Sequence, residues 1–209
     1  MVTSLAGCAS GPTGSGPNGE VMLRPGPQRL PTLLAQGDLV IATLQGVTMT
    51  VQPLSREGLD GYYSRRPALV NPFKTLPKDA NRPLAFIVRI QNMGRDRINF
   101  DPNQALLVDQ QNHRTTPLPY DELYNTLSQG SEPAKALQAL EETVLTNYIV
   151  VPPKIDREGL LLFPPLEPGA KAIILEIGSF YIGSAEQLLL FEFGVFRPPK
   201  AGKIGMFGL

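Results

Sequence analysis

The segment Leu84–Gln91, with the sequence LAFIVRIQ, carries the clearest structural signal in this chain. Its apolar side chains at every second position from Leu84 to Ile90 would share one face of an extended strand. The opposite face would carry Arg89 and Gln91. Alternation of this kind predicts a strand that is buried on one side, and therefore a sheet that covers a hydrophobic core.

Strand signals continue on both sides of this segment. The polar run Asn92–Asp96 predicts a turn, and Arg97–Phe100 is expected to return beside the first strand. Upstream, apolar residues alternate along Leu39–Val51 but change phase at Gln45-Gly46, where a β-bulge would keep one face buried. Further strands are predicted at 104–109, 148–151, 159–163, 171–177 and 187–196.

A helical period interrupts the strands. The first apolar stripe consists of Tyr120, Leu123, Tyr124 and Leu127, and the second consists of Leu137, Leu140 and Val144. The first stripe follows the i, i+3, i+4, i+7 spacing of one helix face, and Ser131 can cap the second helix. The sequence therefore predicts an αα-hairpin inserted between strands.

Proline and glycine divide the chain into short elements. There are 21 prolines and 20 glycines in 209 residues, and both types mark turns. With the strand pattern, they predict a mainly β fold, an antiparallel β-sandwich over residues 32–197 with a helical insertion at about 119–146. Residues 1–31 are expected to form a flexible linker, and residues 198–209 a C-terminal tail.

The composition argues against several classes of function. Nineteen basic and nineteen acidic residues give a formal net charge of zero, which offers no broad surface for nucleic acid. One cysteine and one histidine allow neither an internal disulfide nor a four-ligand zinc site. Residues 14–19 match G-x-G-x-x-G but lack the strand and helix that a nucleotide site needs. No metal, cofactor or nucleic-acid partner is therefore predicted, and no apolar run approaches the ~20 residues of a membrane-spanning helix.

The tetrapeptide Leu5-Ala6-Gly7-Cys8 resembles the lipobox of bacterial lipoproteins. The resemblance implies that Cys8 carries lipid and that the Gly/Pro/Ser-rich segment behind it is a tether. Ala9 follows the cysteine, where Asp typically signals inner-membrane retention, so the resemblance favours an outer-membrane or periplasmic location. The seven residues before Cys8 lack a basic segment, so either the true start lies upstream or Cys8 is a free cysteine in a tail.

The body of the chain resembles the small immunoglobulin-like domains of bacterial envelope lipoproteins. The resemblance rests on four segments, which are 84–92, 100–102, 106–109 and 158–163. It implies an immunoglobulin-like β-sandwich in the cell envelope. It carries over no functional residue beyond Cys8.

Tyr62, Tyr63, Arg65 and Arg66 form the best candidate for a partner-binding surface. They lie in the stretch 55–81, which is rich in glycine and proline and is predicted to be a long loop. Tyrosine and arginine are favoured at the centres of protein interfaces, and arginine pairs with carboxylate or phosphate through two hydrogen bonds. The alternative is that the loop folds onto the sandwich with its tyrosines as anchors.

Catalysis would have to use a small set of groups. His113 lies in a polar turn, where a solvated histidine is expected, although a Ser-His-Asp arrangement would need it. Paired carboxylates could come from Asp101, Asp109, Asp121 and Glu122, but nothing in the sequence places two of them across a cleft.

The sequence thus favours a non-catalytic, lipid-anchored binding or scaffolding module of the cell envelope. A protein partner of unknown identity and the membrane itself are the expected partners. Two alternatives remain open, a hydrolase of cell-wall or sugar substrates and a periplasmic secretion or pilus accessory protein that acts by strand addition.

Overall fold

A computed structural model describes residues 21–74 and 82–197 of the chain. The strands, in chain order, are β1 (Met22–Pro25), β2 (Leu33–Gln36), β3 (Leu39–Leu44), β4 (Val47–Leu54), β5 (Leu84–Asn92), β6 (Ile98–Phe100), β7 (Ala105–Asp109), β8 (Arg114–Thr115), β9 (Ile149–Val151), β10 (Asp156–Phe163), β11 (Ala172–Ile182) and β12 (Ala185–Phe196). The helices are α1 (Arg56–Ser64), α2 (Tyr120–Ser128) and α3 (Pro133–Thr143), and Pro102–Gln104 form a 3-10 turn. The mainly β class is confirmed.

The strands form two sheets, and every pair of neighbouring strands in them is antiparallel. The five-stranded sheet has the order β10-β5-β4-β3-β2. The seven-stranded sheet has the order β1-β12-β11-β6-β9, and β7 joins it by pairing with β11 and β8. The inner faces of both sheets share one hydrophobic core, in which the rings of Phe86 and Phe193 lie 5.6 Å apart. The arrangement is therefore sandwich-like.

The ordered body begins earlier than the sequence predicts. β1 pairs with β12, so the prediction of a flexible linker up to residue 31 is wrong for Met22–Pro25. Leu23 packs against the core, and the Gln28 side chain bonds to the main-chain N and O of Glu192 at 3.1 and 2.9 Å. These contacts offset the entropy of ordering the segment.

The apolar alternation in residues 39–51 changes phase because the chain turns at Gln45 and Gly46, so the predicted β-bulge there is wrong. Gln45 and Gly46 have φ angles of 41° and 82°, so both lie in the left-handed region. Two central residues of this kind reverse the chain in a tight hairpin, and β3 pairs with β4 around them. A Cβ on Gly46 would approach the Gly94 Cα to 3.2 Å, which adds a steric reason for glycine there.

The chain changes sheet after β5. Residues 97–100 were expected beside β5, but β6 pairs with β11 and β9 in the other sheet. The buried Asn92 side chain holds this crossing, because its Nδ2 donates to Asp96 O at 2.8 Å and to Val151 O at 3.0 Å. Its Oδ1 accepts a hydrogen bond from Gly94 N at 3.1 Å. One amide therefore fixes the turn and links the two sheets.

The three helices form a second hydrophobic cluster on the outside of the five-stranded sheet. Both predicted helices are present as α2 and α3, and they pack against each other. α1 lies where a loop was predicted, so that prediction is wrong for Arg56–Ser64. Leu160 and Leu162 of β10 point into this cluster, whereas Leu161 and Phe163 point into the core. Residues 159–163 of β10 are therefore buried on both sides of the strand.

Candidate functional site

The two tyrosines of the predicted binding surface are buried. Tyr62 is 4% exposed and Tyr63 is 2% exposed, with ring centroids 5.3 Å apart in an edge-to-face arrangement. α1 begins at a serine cap, where the Ser55 side chain accepts a hydrogen bond from Gly58 N at 3.0 Å. The helix buries both tyrosine side chains, so neither is presented as the exposed surface that the sequence suggested. The alternative, in which they are anchors, agrees with the structure.

The two arginines differ from each other. Arg66 places its guanidinium 3.7 Å above the Tyr62 ring, donates to Tyr62 O at 2.8 Å and pairs with Glu158 Oε1 at 2.6 Å. These contacts join the end of α1 to β10, so they serve the fold. Arg65 is exposed. An exposed arginine without the tyrosines does not make the predicted surface.

Tyr63 forms a buried hydrogen-bonded pair with Thr143 of α3. Thr143 donates to Ala139 O at 2.6 Å, so the Tyr63 hydroxyl is the donor in its 2.8 Å bond to Thr143 Oγ1. Burial is the main cause that raises the pKa of Tyr63 to about 12. The two hydroxyls therefore stabilise the contact between α1 and α3.

The candidate catalytic groups fall in three different places in the fold. Asp101 accepts a bond from Asn103 N before the 3-10 turn, and Asp121 and Glu122 lie in the first turn of α2. His113 is exposed, and its Nδ1 lies 2.9 Å from Asp109 Oδ2 within one turn. Burial acts to raise the pKa of Asp109, but hydrogen bonds from His113 and the Gln111 main chain lower it on balance. These contacts order a turn and bring no second carboxylate to the histidine.

The remaining predictions on sites depend on which residues the structure describes. Cys8 lies outside the described residues. Within residues 21–74 and 82–197 there is no group of three or more His, Cys, Asp or Glu side chains that could hold a metal ion. No helix in those same ranges is long and apolar enough to cross a membrane.

A partly apolar patch lies on the outer face of the seven-stranded sheet, and the sequence did not predict it. We call Tyr148, Val150, Asn99 and Tyr181 the β9 patch. Val150 lies opposite Asn99, and Asn99 lies opposite Tyr181, so these residues form a row across three strands. Tyr148 and Val150 are 59% and 51% exposed. Their alternation around the buried Ile149 was a signal, but the sequence alone does not say which face of β9 is buried.

The β9 patch borders an open sheet edge. β9 is the last strand in its sheet, and among the described strands it pairs with β6 alone. Glu186 lies opposite Tyr181, and the hydrogen bond between their side chains raises the pKa of Tyr181. The site therefore offers aromatic and aliphatic contacts, one carboxylate and a short edge strand with no second strand beside it among those described.

A cavity of about 750 Å³ lies between α1, the following loop and the α2–α3 connection. Apolar side chains such as Tyr63 and Leu127 line it together with polar ones such as Asp60 and Asn71. The Asn71 Nδ2 bonds to Asp60 Oδ1 at 2.6 Å, so these two polar groups satisfy each other. Lys74 and Glu132 also line the cavity, so its wall carries charges of both signs.

Comparison with known proteins identifies no family for this chain. No family model matches the chain, and no curated protein matches it. Among solved structures, the chain is similar to the yjhA protein from Bacillus subtilis, with 15% sequence identity and a TM-score of 0.36. The match covers 65% of this chain and 76% of that protein. A likeness at this TM-score supports no conclusion about fold or function. The lipoprotein and immunoglobulin-like assignments therefore stay predictions.

Proposed function

We propose that this chain is a non-catalytic binding module of the cell envelope, anchored by lipid on Cys8, that engages a protein partner through the β9 patch. The observation that carries the proposal is the exposed pair Tyr148 and Val150, of which Val150 lies in one row with Asn99 and Tyr181. Tyrosine supplies large contact area at a low cost in side-chain entropy, and contiguous exposed apolar groups mark interaction sites.

We also propose that the two sheets form an immunoglobulin-like β-sandwich with α2 and α3 as an inserted αα-hairpin. Antiparallel pairing, a shared core and the change of sheet after Asn92 support the sandwich. The direct contact between α2 and α3, which are joined by a short connection, supports the hairpin.

The anchor is tested by comparing the full gene product with a Cys8→Ser variant. If Cys8 carries lipid, the unaltered protein partitions into a detergent phase and Cys8→Ser stays in the aqueous phase. A density gradient of the membranes then tests the outer-membrane location. Equal partitioning of the two forms would remove the anchor from the proposal, while leaving the β9 patch untouched.

The patch is tested by site-specific photo-crosslinking in cells. In one variant a photoreactive residue replaces Val150. In the control it replaces Gln111, an exposed residue in the turn between β7 and β8 that does not belong to the patch. We expect one discrete crosslinked species from position 150 and none from position 111. The species should disappear when Tyr148→Ser and Tyr181→Ser are added. The same species from both positions, or one that survives the serine changes, would contradict binding through the patch.

Strand addition is a second candidate function, because the outer edge of β9 has no partner among the described strands. In this mode a partner segment would pair with the β9 backbone and place its side chains on the patch. Hydrogen exchange distinguishes the two modes. Strand addition protects the β9 amides when the partner binds, whereas side-chain contact alone leaves their exchange unchanged.

A further inference from the structure

The outer face of the seven-stranded sheet carries a second apolar surface beside the β9 patch. We call it the aliphatic face, and it consists of Leu106, Val108, Ile174, Leu188 and Leu190. Each of these residues points away from the core, because its neighbours along the strand are the buried ones. Leu188 is 54% exposed, and the other four are partly exposed. The pairing register sets Leu106 and Leu190 on either side of Glu176.

The five-stranded sheet shows what a solvated face looks like in this protein. Its outer surface away from the helices carries Thr43, Thr48, Thr50, Arg89 and Gln91, which the register brings into neighbouring rows. Antiparallel sheets that face water normally alternate apolar inward and polar outward in this way. The aliphatic face breaks that pattern, and contiguous exposed apolar groups of this kind mark interaction surfaces.

We infer that residues 198–209 of the same chain fold back and cover the aliphatic face. These residues lie outside the described ranges, and their sequence is PPKAGKIGMFGL. The segment begins next to the aliphatic face. Phe196 points to the same side of β12 as Leu188 and Leu190 and is 47% exposed. The Arg197 guanidinium donates hydrogen bonds to Ala170 O and, at 2.8 Å, to Glu167 O. The start of the segment is therefore held beside the loop between β10 and β11.

The length of the segment matches the face. Extended backbone covers at most about 3.3–3.6 Å per residue, so residues 198–209 reach roughly 40 Å. Returning along β12 from Phe196 to Leu188 takes about 27 Å at ~3.4 Å per residue. Enough chain remains for a turn before the segment lies on the leucines.

The chemistry of the segment also matches. Its large apolar residues are Ile204, Met206, Phe207 and Leu209, and its charged residues are Lys200 and Lys203. The aliphatic face offers leucines for the first group and the Glu176 carboxylate for the second. Of the other charged groups near this face, Arg24 lies over the Phe196 ring and Arg29 pairs with Glu192. A tethered segment has a further advantage, since its effective concentration is on the order of millimolar.

Disulfide trapping in the full chain tests the inference. In a Cys8→Ser background, Leu188→Cys is combined with Phe207→Cys. The control combines Leu34→Cys with Phe207→Cys, because Leu34 is 64% exposed on the other sheet. We expect the 188–207 pair to form an intramolecular disulfide about tenfold faster than the 34–207 pair, since docking raises the local concentration of one thiol at the other.

A charge exchange sharpens the test. Lys200→Glu with Lys203→Glu should slow the 188–207 disulfide, and adding Glu176→Lys should restore its rate. Equal rates for the 188–207 and 34–207 pairs would overturn the inference. A concentration-dependent disulfide-linked dimer would also overturn it, in favour of the segment of a second copy. A fast 188–207 pair that ignores the charge reversal would support docking but overturn the role of the lysines.

Discussion

Replacing Thr143 by Val should destabilise the protein more than replacing Tyr63 by Phe, and the second change should partly rescue the first. Thr143→Val leaves the buried Tyr63 hydroxyl without an acceptor, and an unpaired buried group costs about 1–3 kcal/mol. Tyr63→Phe removes the hydroxyl itself and leaves the Thr143 bond to Ala139 O in place, so it costs about 0.5–1.5 kcal/mol. In the double variant no buried hydroxyl is left unpaired, and the expected total is about 1 kcal/mol.

Urea unfolding of the four proteins measures this cycle, with the midpoint read at constant slope. Thr126→Val is the matched control, because Thr126 bonds to Glu122 O in the same way but is exposed. The control should change the free energy of unfolding by less than about 0.5 kcal/mol. Additive losses in the Tyr63 and Thr143 variants would refute the reasoning, since they would mean that the two hydroxyls do not depend on each other.

Three further expectations come from other contacts. Because the Tyr63 pKa rises from 10.0 to about 12 on folding, the folded state holds the proton more tightly, and stability is lost as pH rises from about 10 to 12. Thermal melts should show a loss of about 3 kcal/mol over that range, and the slope should be smaller in Tyr63→Phe. Gly159→Ala should cost about 1–3 kcal/mol, because its Cβ would collide with the Leu145 side chain, whereas Gly169→Ala meets nothing within 4 Å and should be near neutral in urea unfolding. Asn92→Leu should cost about 2–4 kcal/mol by the same measurement, because three main-chain groups lose their partner.

Local periodicity predicted the elements well where one face of an element is buried and the other is solvated. β5 was predicted from its alternation, and α2 was predicted from the spacing of its apolar stripe. Which strands pair with each other is harder to predict, because it depends on where the chain changes from one sheet to the other. Nothing in Arg97–Phe100 distinguishes a return beside β5 from a crossing, which the Asn92 side chain decides through contacts distant in sequence.

α1 shows why a composition signal can mislead. Gly58 and Gly61 each lower helix propensity by about 1 kcal/mol relative to alanine, so the segment looked like a loop. Leu59, Tyr62 and Tyr63 nevertheless follow the i, i+3, i+4 spacing of a helix, and their burial against β10 outweighs the glycines. The same burial removed the tyrosines from the predicted binding surface.

The β9 patch could not be predicted for a related reason. A strand of three residues between two breaks has no length in which to show which of its faces points inward. Ile149 and Val151 face the core only because β9 pairs with β6, and Tyr148 and Val150 are exposed as a result.

The position of β10 late in the sequence has a consequence for the nascent chain. The strand contributes to both hydrophobic clusters, with Leu160 and Leu162 on one side and Leu161 and Phe163 on the other. A ribosome releases α1, α2 and α3 before the strand against which they pack. Helices this short are marginal in water on their own, so their apolar stripes are open to chaperones until β10 emerges. Once β10 is made, the helical cluster can close, whereas the core shared by the two sheets still needs β11 and β12.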